Sequence, residues 1–334
     1  MMSNKYRKII ISVLLLTITA VYMLTACSYT AKDRSYKVKE TYRLKSSEGS
    51  KSLLMVDLPV GYGYQHIDGL AVNNVDKYSF EEKNGYQVLH AEIVGDGNER
   101  TIEIEYTVEL LSGEQTWDME KVDEYLQPGE NVDSDNESII EAALSLKVEN
   151  DDYLTAKRIS AFVTKTVKAD RTSKVNAVTL PASKILEQKK GVCNDYANLT
   201  AAMLRAAGIP ARPVSGLVFN NLKEAGDWSH AANSGSHAWV EFYAGGKWHF
   251  ADPTWGNGYF DKADGYHLSY GTELVDISMD EYKAQFDEIS KSMENEGFKI
   301  VASMTAPLKF EVWSNDKDAM VIPKVVVDEI KAEN

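Results

Sequence analysis

Cysteine is almost absent from this chain: its 334 residues hold two, Cys27 and Cys193. That excludes a disulfide-stapled scaffold and a four-cysteine zinc site. Basic charge is short as well. Against 50 Asp and Glu stand 36 Lys and Arg, for a formal net charge of −14. An acidic chain with no basic block lacks the electrostatic footprint of a nucleic-acid binder. What remains, 44% hydrophobic and 26% charged residues, is ordinary globular composition and argues against wholesale disorder. At roughly 100–200 residues per domain, the length suggests two domains.

A bilayer-spanning stretch is also missing. The longest apolar run, Ile9 to Leu24, falls short of the ~20 residues a transmembrane helix needs. Lys5, Arg7 and Lys8 precede it, and Leu24-Thr25-Ala26-Cys27-Ser28 closes it. A basic n-region, a short apolar core and small residues before a cysteine read as a secretory signal. The end of the run resembles a bacterial lipobox. That resemblance implies cleavage after residue 26 and a diacylglyceryl thioether on Cys27. The expected product is an exported lipoprotein held at a membrane surface outside the cytoplasm. Removing residues 1–26 takes away three positive charges and no negative ones, so 308 residues would carry −14 − 3 = −17. The anchor, not electrostatics, would then hold the body to an anionic surface.

After a polar tether, residues 27–35, the pattern acquires period two. Tyr36, Val38, Tyr42 and Leu44 alternate with polar residues, as do Ile102, Ile104, Tyr106, Val108 and Leu110. Both runs read as half-buried strands. Residues 36–115 are therefore expected to form a small antiparallel β domain, sandwich-like. His66 and His90 stand isolated in it, with no ligand cluster around them. An acidic stretch broken by Pro128-Gly129 marks the boundary. Asp133-Ser134-Asp135 there fails the calcium-loop test, since Ser138 and Leu144 occupy the positions that need Gly and Glu. Helical periodicity follows around Ile139 to Leu144 and Ile159 to Val167, and Pro181 opens a further helix. Strands return after Pro210, so residues 116–275 read as an α+β core. Residues 276–334 form an α/β extension. It begins with a capping box at Ser278 to Glu281 and is free either to complete the core's sheet or to cover a cleft.

The second cysteine occupies a chemically charged place. Tyr196, Leu199, Thr200, Met203, Leu204 and Ala207 recur at spacings of three and four, one apolar helix face. Gly208 and Pro210 stop the helix. Cys193 thus lies in its first turn, where unpaired N–H groups and the positive dipole end favour an anion. Gly191 lets the preceding backbone approach a substrate closely.

A base for that cysteine is found on a hairpin. Ser236 to Tyr243 and Lys247 to Ala251 flank Gly245-Gly246. A two-residue loop sets Asp252 diagonal to His237, and a four-residue loop sets them directly opposite. Either even-length loop puts both on one face. Pro253 keeps Asp252 extended. His237 would take the thiol proton and Asp252 would fix its tautomer, with backbone N–H groups at the helix start as oxyanion donors. Gln188 is a side-chain candidate for the same role. Trp239 shares the His237 face and is a candidate wall for the acyl site. His249 reads as structural, and His230 and His267 read as loop residues. A zinc site of His230, His237 and Cys193 lacks short ligand spacing, and no metal or other cofactor is expected.

Four blocks occur in order: Gly191-Val192-Cys193-Asn194-Asp195-Tyr196-Ala197, Leu204 to Arg212, His237-Ala238-Trp239-Val240-Glu241, and Asp252-Pro253-Thr254-Trp255. Together they resemble the transglutaminase-like superfamily core, over roughly residues 120–275. The resemblance implies a papain-like fold, in which the nucleophile helix packs on an antiparallel sheet. It also implies a Cys193–His237–Asp252 triad. The β stretch before the core is similar to families in which an Ig-like module precedes it. The expected activity is a cysteine acyl enzyme that hydrolyses or transfers amide or peptide acyl groups, with a polypeptide or peptide substrate. The alternative is a non-catalytic envelope module that binds or scaffolds through the same cleft.

Overall fold

The computed structural model describes residues 32–83, 86–118, 122–170, 180–219, 235–271, 279–304 and 309–330. Cys27 and its signal, Trp228, His230 and Ser278 lie outside them. The chain is α+β, with mostly antiparallel sheets.

Six strands come first: β1 (Arg34–Lys45), β2 (Lys51–Pro59), β3 (Gln65–Asn73), β4 (Lys77–Lys83), β5 (Tyr86–Val94) and β6 (Glu99–Leu110). The alternation read from the sequence is physical. Tyr36, Val38, Tyr42 and Leu44 of β1 and Ile102 to Leu110 of β6 face inward and are buried, and their neighbours face out. They pack against Leu54, Val56 and Leu58 of β2 and Leu89, Ala91 and Ile93 of β5 in one apolar core between two sheets.

Four helices follow: α1 (Glu137–Leu146), α2 (Asp152–Thr166), α3 (Ala182–Gln188) and α4 (Cys193–Ala206). Asn136 and Asp151 cap the first two by accepting backbone N–H groups with their side chains. Strands β7 (Ala211–Val218), β8 (Ser236–Ala244), β9 (Lys247–Ala251) and β10 (His267–Ser269) form the second unit's sheet in the order β10-β7-β8-β9, with Thr116-Trp117 paired on the far side of β9. Helix α4 lies on one face of this sheet, where Val240, Phe242 and Ala244 join Leu199, Met203 and Leu204 in a fully apolar core. The other face carries Val214, Trp239, Trp248 and Phe250, closed by Tyr64 and Trp117.

The C-terminal stretch takes neither course open to it from sequence. After α5 (Met279–Asn295) come β11 (Lys299–Met304), β12 (Phe310–Ser314) and β13 (Met320–Ile330). Strand β13 pairs along nearly all of β1, and β12 pairs with β2. The tail completes the first two sheets, giving orders β13-β1-β6-β3 and β11-β12-β2-β5-β4. The reason is that β1 and β2 each have an edge left open by β3 to β6, and a strand's unpaired backbone groups need partners.

Candidate active site

Cys193 is the first residue of α4 and is half-buried. Its N–H therefore has no carbonyl inside the helix to serve. The preceding N–H, of Val192, is already taken: Asp195 Oδ2 accepts it at 2.8 Å. Gly191 makes that turn possible, because a Cβ there would lie 2.5 Å from the Cβ of Asp195. The glycine answers to its own helix cap before it answers to any substrate. At the far end, Gly208 adopts φ 88°, its N–H bonds Arg205 O, and the Ile209 N–H bonds Leu204 O, the double closure of a Schellman motif.

The hairpin takes the shorter of the two loops. Ala244 pairs with Lys247 and Val240 with Ala251, and Gly245 and Gly246 both have positive φ, as a two-residue primed turn requires. Asp252 begins where the pairing ends, diagonal to His237. The two side chains meet: His237 Nε2 donates to Asp252 Oδ2 at 2.8 Å, with both residues buried. The second carboxylate oxygen accepts the N–H of Thr254 at 2.8 Å and of Trp255 at 3.4 Å. Burial pulls the His237 imidazole toward its neutral form. The bond to Asp252 and the interaction with Cys193 outweigh burial and push it up to about 10. Burial likewise raises Asp252, yet the bonds from His237 and His267 hold it well below the usual carboxylate range.

Two sequence expectations need correction. Trp239 does not wall a cleft. It is fully buried, and its Nε1 donates to Tyr64 Oη at 2.8 Å. Tyr64 in turn donates to Glu241 Oε1 at 2.9 Å, and Glu241 is clamped by Arg212 at 2.7 Å. A buried ion pair with every oxygen engaged thus draws the tryptophan away from solvent. The ring that covers the imidazole is Trp255, stacked on His237 at 5.2 Å between centroids and only partly buried. Gln188 is exposed, and its amide nitrogen donates to Lys190 O at 2.8 Å. It is turned to the surface rather than toward the thiol.

His249 is structural: it stacks on Phe242, and its ring nitrogens meet Asp261 at 2.9 Å and Ala244 O at 3.1 Å. His267 is the residue that sequence reasoning missed. It lies on β10 rather than in a loop, is 1% exposed, and sits 3.3 Å from Asp252 and 2.8 Å from Asp264. Only the folding of β10 beside β7 brings it there, and no spacing announced it. His237, Asp252 and His267 are the described residues close enough together to share a cation. Their observed contacts are hydrogen bonds within a buried cluster.

Residues 142–253 match the model of the transglutaminase-like superfamily. An uncharacterised protein of Mycobacterium leprae is 42% identical over 69 residues, 21% of this chain and 24% of the relative. The protein-glutamine gamma-glutamyltransferase of Pseudomonas aeruginosa is 39% identical over 72 residues, 21% of this chain and 11% of that protein. The matches thus span less than a quarter of these relatives' own length. A solved structure from Cytophaga hutchinsonii, described as a candidate cysteine protease, superposes with a TM-score of 0.52 at 16% identity, over 91% of this chain and 93% of that one. It is a likeness of fold.

Proposed function

We propose, from the premise that this chain carries a transglutaminase-like domain, that it is a membrane-anchored cysteine acyl enzyme acting on amide or peptide bonds. Cys193 is the nucleophile. His237 receives its proton, and the resulting imidazolium is stabilised by Asp252. The thiolate adds to the substrate carbonyl, and the oxyanion is met by the Cys193 N–H at the helix start. The C–N bond then breaks, His237 returns a proton to the leaving amine, and a thioester remains. Water, activated by the same imidazole, resolves it to an acid and free thiol. An amine acceptor would give a new amide instead.

Water is the acceptor we favour, because no lysine-donor site stands out in the sequence. The Pseudomonas aeruginosa relative's name keeps transfer as the other arm of the test. The observation that carries the reading is the buried His237–Asp252 pair, 2.8 Å apart; Cys193 at the start of α4 supports it, as a thiol that interacts with the same imidazole. The lipid on Cys27 would hold the enzyme at the outer side of a cytoplasmic membrane or at an envelope surface.

The test is mass spectrometry of a casein-like protein incubated with the enzyme and a primary amine, with Cys193→Ala alongside. New termini mean proteolysis, and conversion of an amide to an acid means deamidation. An amine adduct means transfer. No change in any channel, or equal change with Cys193→Ala, overturns the catalytic reading in favour of a binding module.

A further inference from the structure

We propose that His267 is a positioning residue of this site: a permanently charged imidazolium held between Asp264 and Asp252 that orients Asp252 toward His237 and offsets part of its negative charge. The inference rests on the catalytic reading above only for its consequence. The charge state itself follows from geometry.

Both ring nitrogens of His267 face carboxylate oxygens, Nδ1 to Asp264 Oδ1 at 2.8 Å and Nε2 to Asp252 Oδ2 at 3.3 Å. A neutral imidazole has one N–H and one bare nitrogen. Whichever nitrogen were bare would point its lone pair at an oxygen lone pair. That conflict disappears only if a carboxylate is protonated or if the ring carries both protons. Asp252 is committed to the ionised form, since it already accepts from His237, Thr254 and Trp255. The Asp264 oxygen that faces the ring also accepts the Tyr266 N–H at 2.9 Å. Oxygens that already accept on both sides of the ring call for two donors, and His267 as a cation supplies them.

Among the described residues, the titratable groups near His267 besides Asp252 and Asp264 are His237, 5.5 Å away between ring centroids, Tyr259, which interacts with both carboxylates, and the adjacent Tyr266. Cys193 lies beyond His237. The remaining ring neighbours are the carbon faces and edges of Trp239, Phe250 and Trp255. Burial opposes the charge, and the two carboxylates more than offset it. Asp252 thus sits between two imidazole rings, those of His237 and His267. The cation at His267 draws on the carboxylate's charge and tempers the hold of Asp252 on the His237 proton.

The direct test does not depend on turnover. In full-length chain with ¹⁵N-labelled histidine, the His267 signals, assigned through His267→Gln, should show two protonated ring nitrogens. They should not change from pH 5 to pH 8. A single-proton pattern at pH 8 overturns the proposal while leaving the enzyme reading intact. The second test follows alkylation of Cys193 by iodoacetamide against pH. Glutamine keeps a neutral donor near Asp252 but removes the positive charge, so the onset of alkylation should move up by about one pH unit. Asp264→Asn, which removes the acceptor on the ring's other side, should turn the His267 signals to a single-proton pattern by pH 8, and serves if His267→Gln fails to fold. An unchanged profile in a variant with wild-type circular dichroism overturns the electrostatic role. Loss of turnover in the wild type with these shifts intact would instead count against the proposed function.

Discussion

His237 and Asp252 lie 2.8 Å apart although the hairpin does not set them face to face. Its last ladder pair is Val240 with Ala251, so the carboxylate reaches the imidazole along the diagonal, from the first residue beyond the ladder. The extended backbone that Pro253 demands keeps Asp252 on the same face as His237. Substituting Asp252→Asn preserves the shape and removes the charge. Turnover should fall by about 10²- to 10⁴-fold, with the melting temperature recorded beside it to separate chemistry from folding. Undiminished turnover would remove Asp252 from the mechanism.

The same pair predicts how stability depends on pH. An imidazole raised to about 10 from 6.5 contributes stability that is fully present below 6.5 and lost as pH rises through about 10. A carboxylate held below its ordinary range contributes stability that is present above about 4 and lost as pH falls through its folded value. The melting temperature should therefore fall on both sides of neutrality. His237→Gln should flatten the fall between pH 7 and 10, and an identical alkaline slope in that variant would assign the loss to other groups.

Gly216 offers a packing test. It pairs with His237 on one side and Ser269 on the other. A Cβ there would collide with the carbonyl oxygen of Leu268 and lie 2.5 Å from Cη2 of Trp239. Both neighbours are fully buried, so neither can yield cheaply. Gly216→Ala should cost about 2–4 kcal/mol by urea denaturation and should displace β10, slowing Cys193 alkylation at neutral pH. A stability within about 0.5 kcal/mol of wild type would mean that the strand shifts freely.

The anchor is tested in cells. Metabolic labelling with an alkyne fatty acid should mark the wild-type chain and leave Cys27→Ser unmarked, and the variant should lose the membrane fraction. Label retained on Cys27→Ser would place any lipid elsewhere.

Much of the candidate site could be read directly from the chain, for a local reason. Cys193 is marked by the apolar face of one helix and by its stop at Gly208. His237 and Asp252 are marked by period-two alternation across a Gly-Gly turn. Each signal spans a few residues joined by the backbone, so spacing converts to geometry. Trp239 shows where that conversion fails. Parity correctly assigned it to the His237 face, but parity cannot say what lies against that face. Tyr64, Glu241 and Arg212 meet it from elements far apart in sequence, and they bury it.

The composition and local pattern settle the α+β class, the place of Cys193 at a helix start and the hairpin that carries His237 and Asp252. Three-dimensional packing settles the rest. It draws the tail back into the first sheets, because strand edges at β1 and β2 were open 200 residues and more upstream of their partners. It seats Trp255 rather than Trp239 on the imidazole. It also brings His267 to Asp252, since long-range strand pairing depends on which edges and buried charges remain unsatisfied once the local elements have formed.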